Sequence, residues 1–85
     1  MDKIFDDTAL DDMMFWAHHN RKTLDKIYKL IRDIERNGAS KGEGKPERLK
    51  HQPAWSRRID KENRLVYDME NDSLRIISCK GHYED

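Results

Sequence analysis

Residues 44–67 read GKPERLKHQPAWSRRIDKENRLVY, and this stretch predicts two antiparallel strands joined by a charged turn. Residues 55–59 alternate in the manner of a strand and residues 64–67 are rich in β-formers, while the polar residues 60–63 between them predict the turn. Basic side chains recur along the stretch, with two aromatic residues interleaved. This mixture favours a surface that meets phosphate, because a core does not tolerate so many Arg and Lys side chains.

The flanking segments predict the rest of one α+β domain. Two runs of apolar side chains at helical spacing precede the stretch, and the short joint between them predicts a helical hairpin. Short turns between the later strands favour antiparallel neighbours. We therefore predict a twisted antiparallel sheet, with the first strand added at one side and the N-terminal helical hairpin packed on one face, in a single domain of residues 1–85. The predicted strands are residues 3–5, 47–50, 55–59, 64–67 and 74–79.

Three residues predict where the helices begin and end. Thr8 is placed to cap the first helix, since acidic residues follow it in the first turn. Asn20 is placed to cap the second helix, and Gly38 is a natural stop for it. The predicted core positions are Leu10, Met13, Met14 and Ala17 in the first helix, with Phe15 and Trp16 broadening its apolar face, and Leu24, Ile27, Tyr28, Ile31 and Ile34 in the second.

The charge of this 85-residue chain is balanced overall but unevenly distributed. Residues 1–20 carry one Lys and five Asp, residues 21–64 carry fourteen Lys and Arg against seven acids, and residues 65–85 carry two against five. The basic middle can meet nucleic acid or an acidic protein segment. The single cysteine, Cys79, excludes an internal disulfide. No signal-peptide pattern and no membrane-length apolar run occurs, so we expect a cytoplasmic protein without membrane contact.

Five short motifs follow one another along the chain: GKPE at 44–47, LKH at 49–51, WSRRI at 55–59, RLVY at 64–67 and HY at 82–83. Taken in this order, they resemble the YoeB/Txe toxins of the RelE superfamily. The likeness extends from the first predicted strand to the final His-Tyr pair. The chain differs in the loop before the first motif, which lacks a Pro-Phe pair, in a shorter link before residue 55, in residues 84–85 beyond the Tyr, and in Lys80-Gly81, where a bulkier pair is usual.

The resemblance implies a RelE-like fold and a toxin of a bacterial type II toxin–antitoxin system. Such a protein is expected to be a ribosome-dependent endoribonuclease that cuts mRNA in the ribosomal A site. The expected partners are the ribosome, mRNA and an antitoxin of the Phd/YefM type, and the resemblance leans towards a homodimer. No metal and no cofactor is expected, because RNA is cut when its own 2′-hydroxyl attacks the adjacent phosphate.

By the resemblance, Glu47, Arg64, His82 and Tyr83 fall on the catalytic positions. The reaction needs a base for the 2′-hydroxyl proton, a cation for the phosphorane and an acid for the departing oxygen. Glu47 is the expected base and Arg64 the expected clamp, since its fork can hold two phosphate oxygens. His82 is the expected acid, because histidine can donate a proton near neutral pH. Tyr83 is expected to stack on a base or orient the substrate.

Four basic residues, Lys45, Lys50, Arg57 and Arg58, are expected to contact phosphate on mRNA or ribosomal RNA. Because strand residues alternate, Arg57 and Arg58 cannot both point into one groove. One of them is expected at the site and the other at the ribosome or antitoxin. His18 and His19 suggest no metal site, since neighbouring helix positions face different ways and no further ligands complete a set.

Each site residue also has a purely structural interpretation. Glu47 could pair with a neighbouring Lys, Arg64 with an acid across the strand, and His82 could be an ordinary terminal residue. At the level of the whole chain, the alternative to a nuclease is a non-catalytic RNA- or ribosome-binding module. A third, weaker interpretation is an interaction domain whose basic band receives an acidic partner segment.

Overall fold

The computed structural model describes residues 1–82, and within them the chain forms two helices and five strands. None of these helices is both long and apolar enough to span a bilayer. In chain order the elements are β1 (Asp2–Phe5), α1 (Asp7–His19), α2 (Arg21–Asn37), β2 (Glu47–Arg48), β3 (Trp55–Arg58), β4 (Arg64–Glu70) and β5 (Ser73–Ser78).

The five strands form one sheet in the order β1-β5-β4-β3-β2. Strands β2 to β5 are antiparallel neighbours, as the short turns predict. Strand β1 lies beside β5 in parallel, so the sheet is mixed rather than wholly antiparallel. The connection from β1 runs through both helices, and such a long crossover permits parallel pairing. The predicted α+β fold is confirmed, with this one difference in strand direction.

The caps of α2 follow the sequence prediction, whereas that of α1 does not. The side chain of Asn20 accepts a hydrogen bond from the backbone N–H of Thr23, at 3.3 Å, and Gly38 ends α2 at φ 90°. Helix α1 begins earlier than predicted, because Asp6 rather than Thr8 occupies the N-cap position. The Asp6 carboxylate makes no cap hydrogen bond; it instead accepts hydrogen bonds from the Arg75 guanidinium at 2.9 and 2.8 Å.

Helix α1 buries only part of the face that the sequence predicts. Leu10, Met14 and Ala17 were expected in the core, yet they are exposed, and the buried residues of this helix are Ala9 and Trp16. Trp16 donates its indole N–H to the carbonyl of Cys79, at 2.9 Å. That hydrogen bond joins the C-terminal half of α1 to the chain just after β5, and so fixes which side of the helix faces inward.

Helix α2 and the sheet enclose the core. The predicted stripe of α2 is largely correct, but Tyr28 is 61% exposed, and Leu30 is buried in the same helix. Apolar residues of β4 and β5 complete the inner layer. The buried side chains from α2, β4 and β5 are Ile27, Leu30, Ile31, Ile34, Leu65, Tyr67, Leu74 and Ile76.

Candidate active site

Strand pairing brings four of the polar residues to one face of the sheet. Glu47 on β2 lies opposite Ser56 on β3, and Arg58 at the end of β3 lies opposite Arg64 on β4. Alternate residues of a strand share a face, so these four residues lie on the side away from the helices. Arg57 lies between Ser56 and Arg58 and therefore points to the helical side. The expectation that Arg57 and Arg58 face opposite ways is confirmed.

This open face carries a cleft of about 270 Å³ that contains three of the four expected catalytic residues. Glu47 contributes from β2, Arg64 from the start of β4, and His82 from the segment after β5. Tyr83, the fourth expected residue, lies outside the described residues. The cleft thus gathers a carboxylate, a guanidinium and an imidazole from parts of the chain that are far apart in sequence.

Arg64 has one satisfied nitrogen and one that lacks a hydrogen bond. Its Nε donates to the buried Ser56 hydroxyl at 3.0 Å. Its Nη2 is also buried but makes no hydrogen bond within residues 1–82; the Glu47 carboxylate lies 3.5 Å away as an ion pair. We take the distance as a charge contact only, because it falls at the limit of hydrogen-bond length. A cationic donor at the cleft therefore has capacity for an additional acceptor.

Glu47 and His82 are far more accessible than Arg64. The Glu47 side chain is 67% exposed on the edge strand β2, whereas that of Arg64 is 13% exposed. His82 is exposed as well. The backbone before His82 is held at Gly81, which donates its N–H to the Asn63 side-chain oxygen at 2.8 Å and accepts the Arg64 backbone N–H at 3.1 Å. The cleft therefore pairs a fixed cation with two accessible titratable groups.

Asp60, in the turn before β4, interacts electrostatically with His82. Burial raises the pKa of Asp60, but hydrogen bonds from Asn63 and from the backbone N–H groups of Glu62 and Asn63, with attraction to His82, lower that pKa overall. His82 thus lies within electrostatic reach of a carboxylate as well as of the cleft.

Arg57 is not available for the phosphate contact that the sequence led us to expect. Its side chain is fully buried between the sheet and α2. Nε donates to the Tyr67 hydroxyl at 2.9 Å, Nη1 pairs with the Asp33 carboxylate, and the remaining donors bind carbonyls. Those carbonyls belong to Glu43 at 3.0 Å, Gly38 at 2.9 Å and Lys41 at 2.6 Å. The prediction for Arg57 was wrong because every donor of the guanidinium is used inside the fold.

We refer to Arg57, Asp33 and Tyr67 together as the Arg57 cluster. The backbone N–H of Glu43 donates to Asp33 at 3.0 Å, and the Tyr67 hydroxyl donates to the carbonyl of Ala39 at 2.6 Å. The hydrogen bond from Glu43, with the Arg57 guanidinium, holds the pKa of Asp33 below its usual value despite burial. Burial raises the pKa of Tyr67. The cluster thereby ties down the loop that leads from α2 to Glu47.

A glycine is required where this loop crosses the Arg57 cluster. Gly42 has φ 118°, and a Cβ at this position would lie 2.0 Å from the Asp33 carboxylate oxygen. Any side chain would displace the acid that neutralises Arg57. Gly42 and Gly44 therefore both reflect close packing on the Arg57 cluster, since a Cβ at Gly44 would lie 3.0 Å from the Arg57 side chain.

The other three basic residues are placed where a polyanion can reach them. Lys50 lines the cleft. Lys45 is exposed shortly before Glu47 in the sequence, and Arg58 is exposed on β3 opposite Arg64. Arg48, which was not among the candidates, also lines the cleft and lies 5.8 Å from the centre of the Trp55 ring. Ser56 was missed as a site residue, although its alternation with Arg57 already placed it on the opposite face.

Other titratable groups offer weaker sites. A groove of about 390 Å³ beside α2 is larger than the cleft, but its Asp33 is already bonded to Arg57. Burial raises the pKa of the Cys79 thiol to about 12, so this cysteine is not a ready nucleophile. Within residues 1–82, no three or more His, Cys, Asp or Glu side chains are grouped as a metal site would require.

Comparison with known proteins gives a consistent result. A family described as "YoeB-like toxin of bacterial type II toxin-antitoxin system" matches residues 5–83. The chain is 42% identical to Toxin YoeB of Escherichia coli strain K12 over 85 residues, which cover 98% of this chain and 100% of that protein.

Solved structures agree with this match. The toxin in a YoeB-YefM complex from Staphylococcus aureus superposes with a TM-score of 0.90 at 41% identity, with 98% of each chain covered. A YoeB dimer from the same organism gives a TM-score of 0.92 at 40% identity, again with 98% of each chain covered.

Proposed function

This chain belongs to the YoeB-like toxins of bacterial type II toxin–antitoxin systems, and from that premise we propose that it is a ribosome-dependent endoribonuclease. Its substrate would be mRNA in the ribosomal A site, and its effect would be to stop translation. A cytoplasmic location belongs to the same proposal, because that is where mRNA is translated.

The buried Nη2 of Arg64 is the observation that supports this proposal best. A buried donor without a hydrogen bond costs about 1–3 kcal/mol, and more when it is charged. Here that donor lies at a cleft with Glu47 and His82. A phosphate oxygen would supply the missing acceptor, and Arg binds phosphate through two parallel hydrogen bonds. The cleft therefore suits a phosphodiester flanked by an acid and a base.

The three side chains can divide the reaction among them. Glu47 takes the proton of the 2′-hydroxyl, and that oxygen attacks the neighbouring phosphorus. Arg64 stabilises the added negative charge on the non-bridging oxygens. The bond from phosphorus to the 5′-oxygen breaks, and His82 protonates that oxygen. The products are a 2′,3′-cyclic phosphate on the upstream fragment and a 5′-hydroxyl on the downstream fragment.

The weak Glu47–Arg64 contact is compatible with this division. At 3.5 Å the carboxylate partly neutralises the guanidinium before substrate binds. Because Glu47 is largely exposed on an edge strand, it can move aside when a phosphate takes its place. The displaced carboxylate would then be close to the sugar that carries the 2′-hydroxyl. Lys45, Lys50 and Arg58 would hold adjacent phosphates by charge.

The partners follow from the same family. A YefM-type antitoxin is proposed because a Staphylococcus aureus relative forms a YoeB-YefM complex, and self-association is proposed because a YoeB dimer is known from that organism. An acidic antitoxin segment would complement Arg64 and the neighbouring Lys and Arg side chains. Such a segment would compete with mRNA for the same cleft.

Primer extension on a translating mRNA with purified ribosomes tests the proposed nuclease. Wild type should cut at codons in the A site, and Glu47→Ala and His82→Ala should each lower the cleavage rate by about 10²–10⁴-fold, the usual share of an acid or base. Glu70→Ala and His18→Ala are matched controls, since both side chains are exposed outside the cleft. Ribosome binding without cleavage by wild type would instead favour a non-catalytic module.

A further inference from the structure

A small hydrogen-bonded ring joins the start of β4 to the segment that carries His82. The backbone N–H of Arg64 donates to the carbonyl of Gly81 at 3.1 Å. The N–H of Gly81 donates to the side-chain oxygen of Asn63 at 2.8 Å. Asn63 directly precedes Arg64, and Gly81 directly precedes His82. The ring therefore includes the backbone of Arg64, which would hold the phosphate, and lies one residue from His82, which would protonate the departing oxygen.

The Asn63 side chain is fixed in the orientation that the ring needs. Its Nδ2 donates to both carboxylate oxygens of Asp60, at 3.0 and 3.1 Å, and its backbone N–H donates to Asp60 Oδ1 at 2.8 Å. With the amide nitrogen held by a carboxylate, the amide oxygen must face Gly81. Asp60 also binds the backbone N–H of Glu62 at 2.8 Å, so the whole turn is rigid around one acid.

Gly81 has little else to hold it. Its φ of 80° lies in the left-handed region, and a Cβ built there would meet no atom of the described chain within 4 Å. A larger side chain at this position could be restrained by packing, but glycine cannot. Glycine also loses more backbone freedom on folding than any other residue type. Its position therefore depends on the two hydrogen bonds of the ring.

The chain just before the ring is held by side chains of α1. Cys79 receives the indole N–H of Trp16 at its carbonyl and donates its own N–H to Asp12, each at 2.9 Å. These contacts end two residues before Gly81, and the exposed Lys80 between them places its ammonium 4.2 Å from the centre of the Phe15 ring. The ring is thus the last restraint that the structure describes before His82.

We propose that Asn63 is a positioning residue that sets His82 relative to Arg64. This inference rests on the proposed nuclease function. Asn63 would not touch substrate; it would hold the Gly81 backbone so that the imidazole meets the departing 5′-oxygen while Arg64 holds the phosphate. Because Gly81 has no side chain to pack, the restraint on its backbone comes instead from a side chain of the neighbouring turn.

A purely structural role for Asn63 makes a different prediction. In that case the Asn63→Ala variant would lose stability, and its cleavage would fall by the same factor whether or not His82 is present. A positioning role acts only through His82. The two roles are therefore separated by combining Asn63→Ala with His82→Ala, since residues that act through one another are not additive.

The test compares single-turnover cleavage on programmed ribosomes by wild type, Asn63→Ala, His82→Ala and the double variant. Asn63→Ala should lower the maximal single-turnover rate by about 10–100-fold, with the half-saturating toxin concentration changed less than about twofold, because misplacement of a reacting group by ~1 Å has effects of this size. In the His82→Ala background, Asn63→Ala should have no further effect. Gly81→Ala should behave like Asn63→Ala, since φ 80° disfavours alanine although no atom blocks its Cβ. Asn71→Gly, in the exposed turn between β4 and β5, is the control.

A second measurement keeps the result independent of activity. Amide hydrogen exchange by NMR should show the Gly81 N–H exchanging at least ~10-fold faster in Asn63→Ala, with the core amide of Leu65 unchanged. Wild-type cleavage in the Asn63→Ala variant, or an equal loss from Asn63→Ala with and without His82, would overturn the positioning role alone. Absence of cleavage by wild type would overturn the proposed function, and the positioning role would fall with it.

Discussion

Two arginines on neighbouring strands differ in whether the fold supplies a hydrogen-bond acceptor for every buried donor. Arg57 on β3 points to the helical side and donates hydrogen bonds to Tyr67, Asp33 and three loop carbonyls. Arg64 on β4 points to the open side, binds Ser56 through Nε and leaves Nη2 without a hydrogen bond among the described residues. Residue type and exposure are similar, yet the two sets of partners are not.

Whether every buried donor has a hydrogen-bond acceptor distinguishes Arg57 from Arg64, whereas their charge does not. A buried guanidinium must have its donors satisfied or the fold loses stability. Arg57 meets that requirement within the chain. Arg64 does not, and the missing acceptor is on the cleft side, next to Glu47.

Arg57→Leu should have the largest effect on stability. It would leave Asp33 buried without its cation and release the carbonyls of the loop before β2. We expect the free energy of unfolding to fall by about 3–5 kcal/mol, the usual result of removing one member of a buried ion pair. Chemical denaturation at neutral pH would measure the loss.

A double variant tests the reason for that loss. Replacing Asp33 by Leu together with Arg57→Leu should recover a substantial part of the stability, because no uncompensated charge then remains in the interior. A double variant as unstable as Arg57→Leu alone would contradict the view that the unpaired Asp33 carboxylate causes most of the damage.

Tyr67→Phe should have a smaller effect of the same kind. The substitution keeps the ring in the core but removes the hydroxyl that accepts from Arg57 Nε and donates to the carbonyl of Ala39. We expect a loss of about 1–3 kcal/mol, the cost of leaving buried polar groups without partners. Thermal unfolding of Tyr67→Phe beside Tyr28→Phe, whose hydroxyl lies on an exposed side chain, would measure it. Equal melting temperatures for the two variants would show that the Tyr67 hydroxyl does not stabilise the Arg57 cluster.

The order of elements and the two faces of β3 could be predicted from the sequence. Alternation along residues 55–58 placed Ser56 and Arg58 on one face of the sheet and Arg57 on the other, and the strand pairing agrees. The caps at Asn20 and Gly38 were also predictable, since each depends on a local residue preference. These features are set by neighbours in the sequence.

Features that depend on distant contacts could not be predicted in the same way. Arg57 had the appearance of a surface residue because its acid, Asp33, lies 24 positions earlier on α2. Leu10 and Met14 fit a helical stripe, but the hydrogen bond from Trp16 to Cys79 sets the inward face of α1. The Asn63–Gly81 contact joins residues 18 apart in sequence, with no motif that signals it. Tertiary pairing decided each of these, and periodicity carries no information about it.

The most direct test of the account is an Arg64→Lys variant assayed for both cleavage and stability. Lys keeps the charge but cannot hold two phosphate oxygens in a fork. We expect ribosome-dependent cleavage to fall by about 10²–10³-fold, as when one preorganised donor to the transition state is lost. The free energy of unfolding should change by about 1 kcal/mol or less, since Ser56 loses only one hydrogen bond. Arg75→Lys, on an exposed arginine outside the cleft, should leave cleavage unchanged. If Arg64→Lys instead cut mRNA as fast as wild type, or lost as much stability as Arg57→Leu, then Arg64 would be a second structural arginine and the cleft would not be a phosphate site.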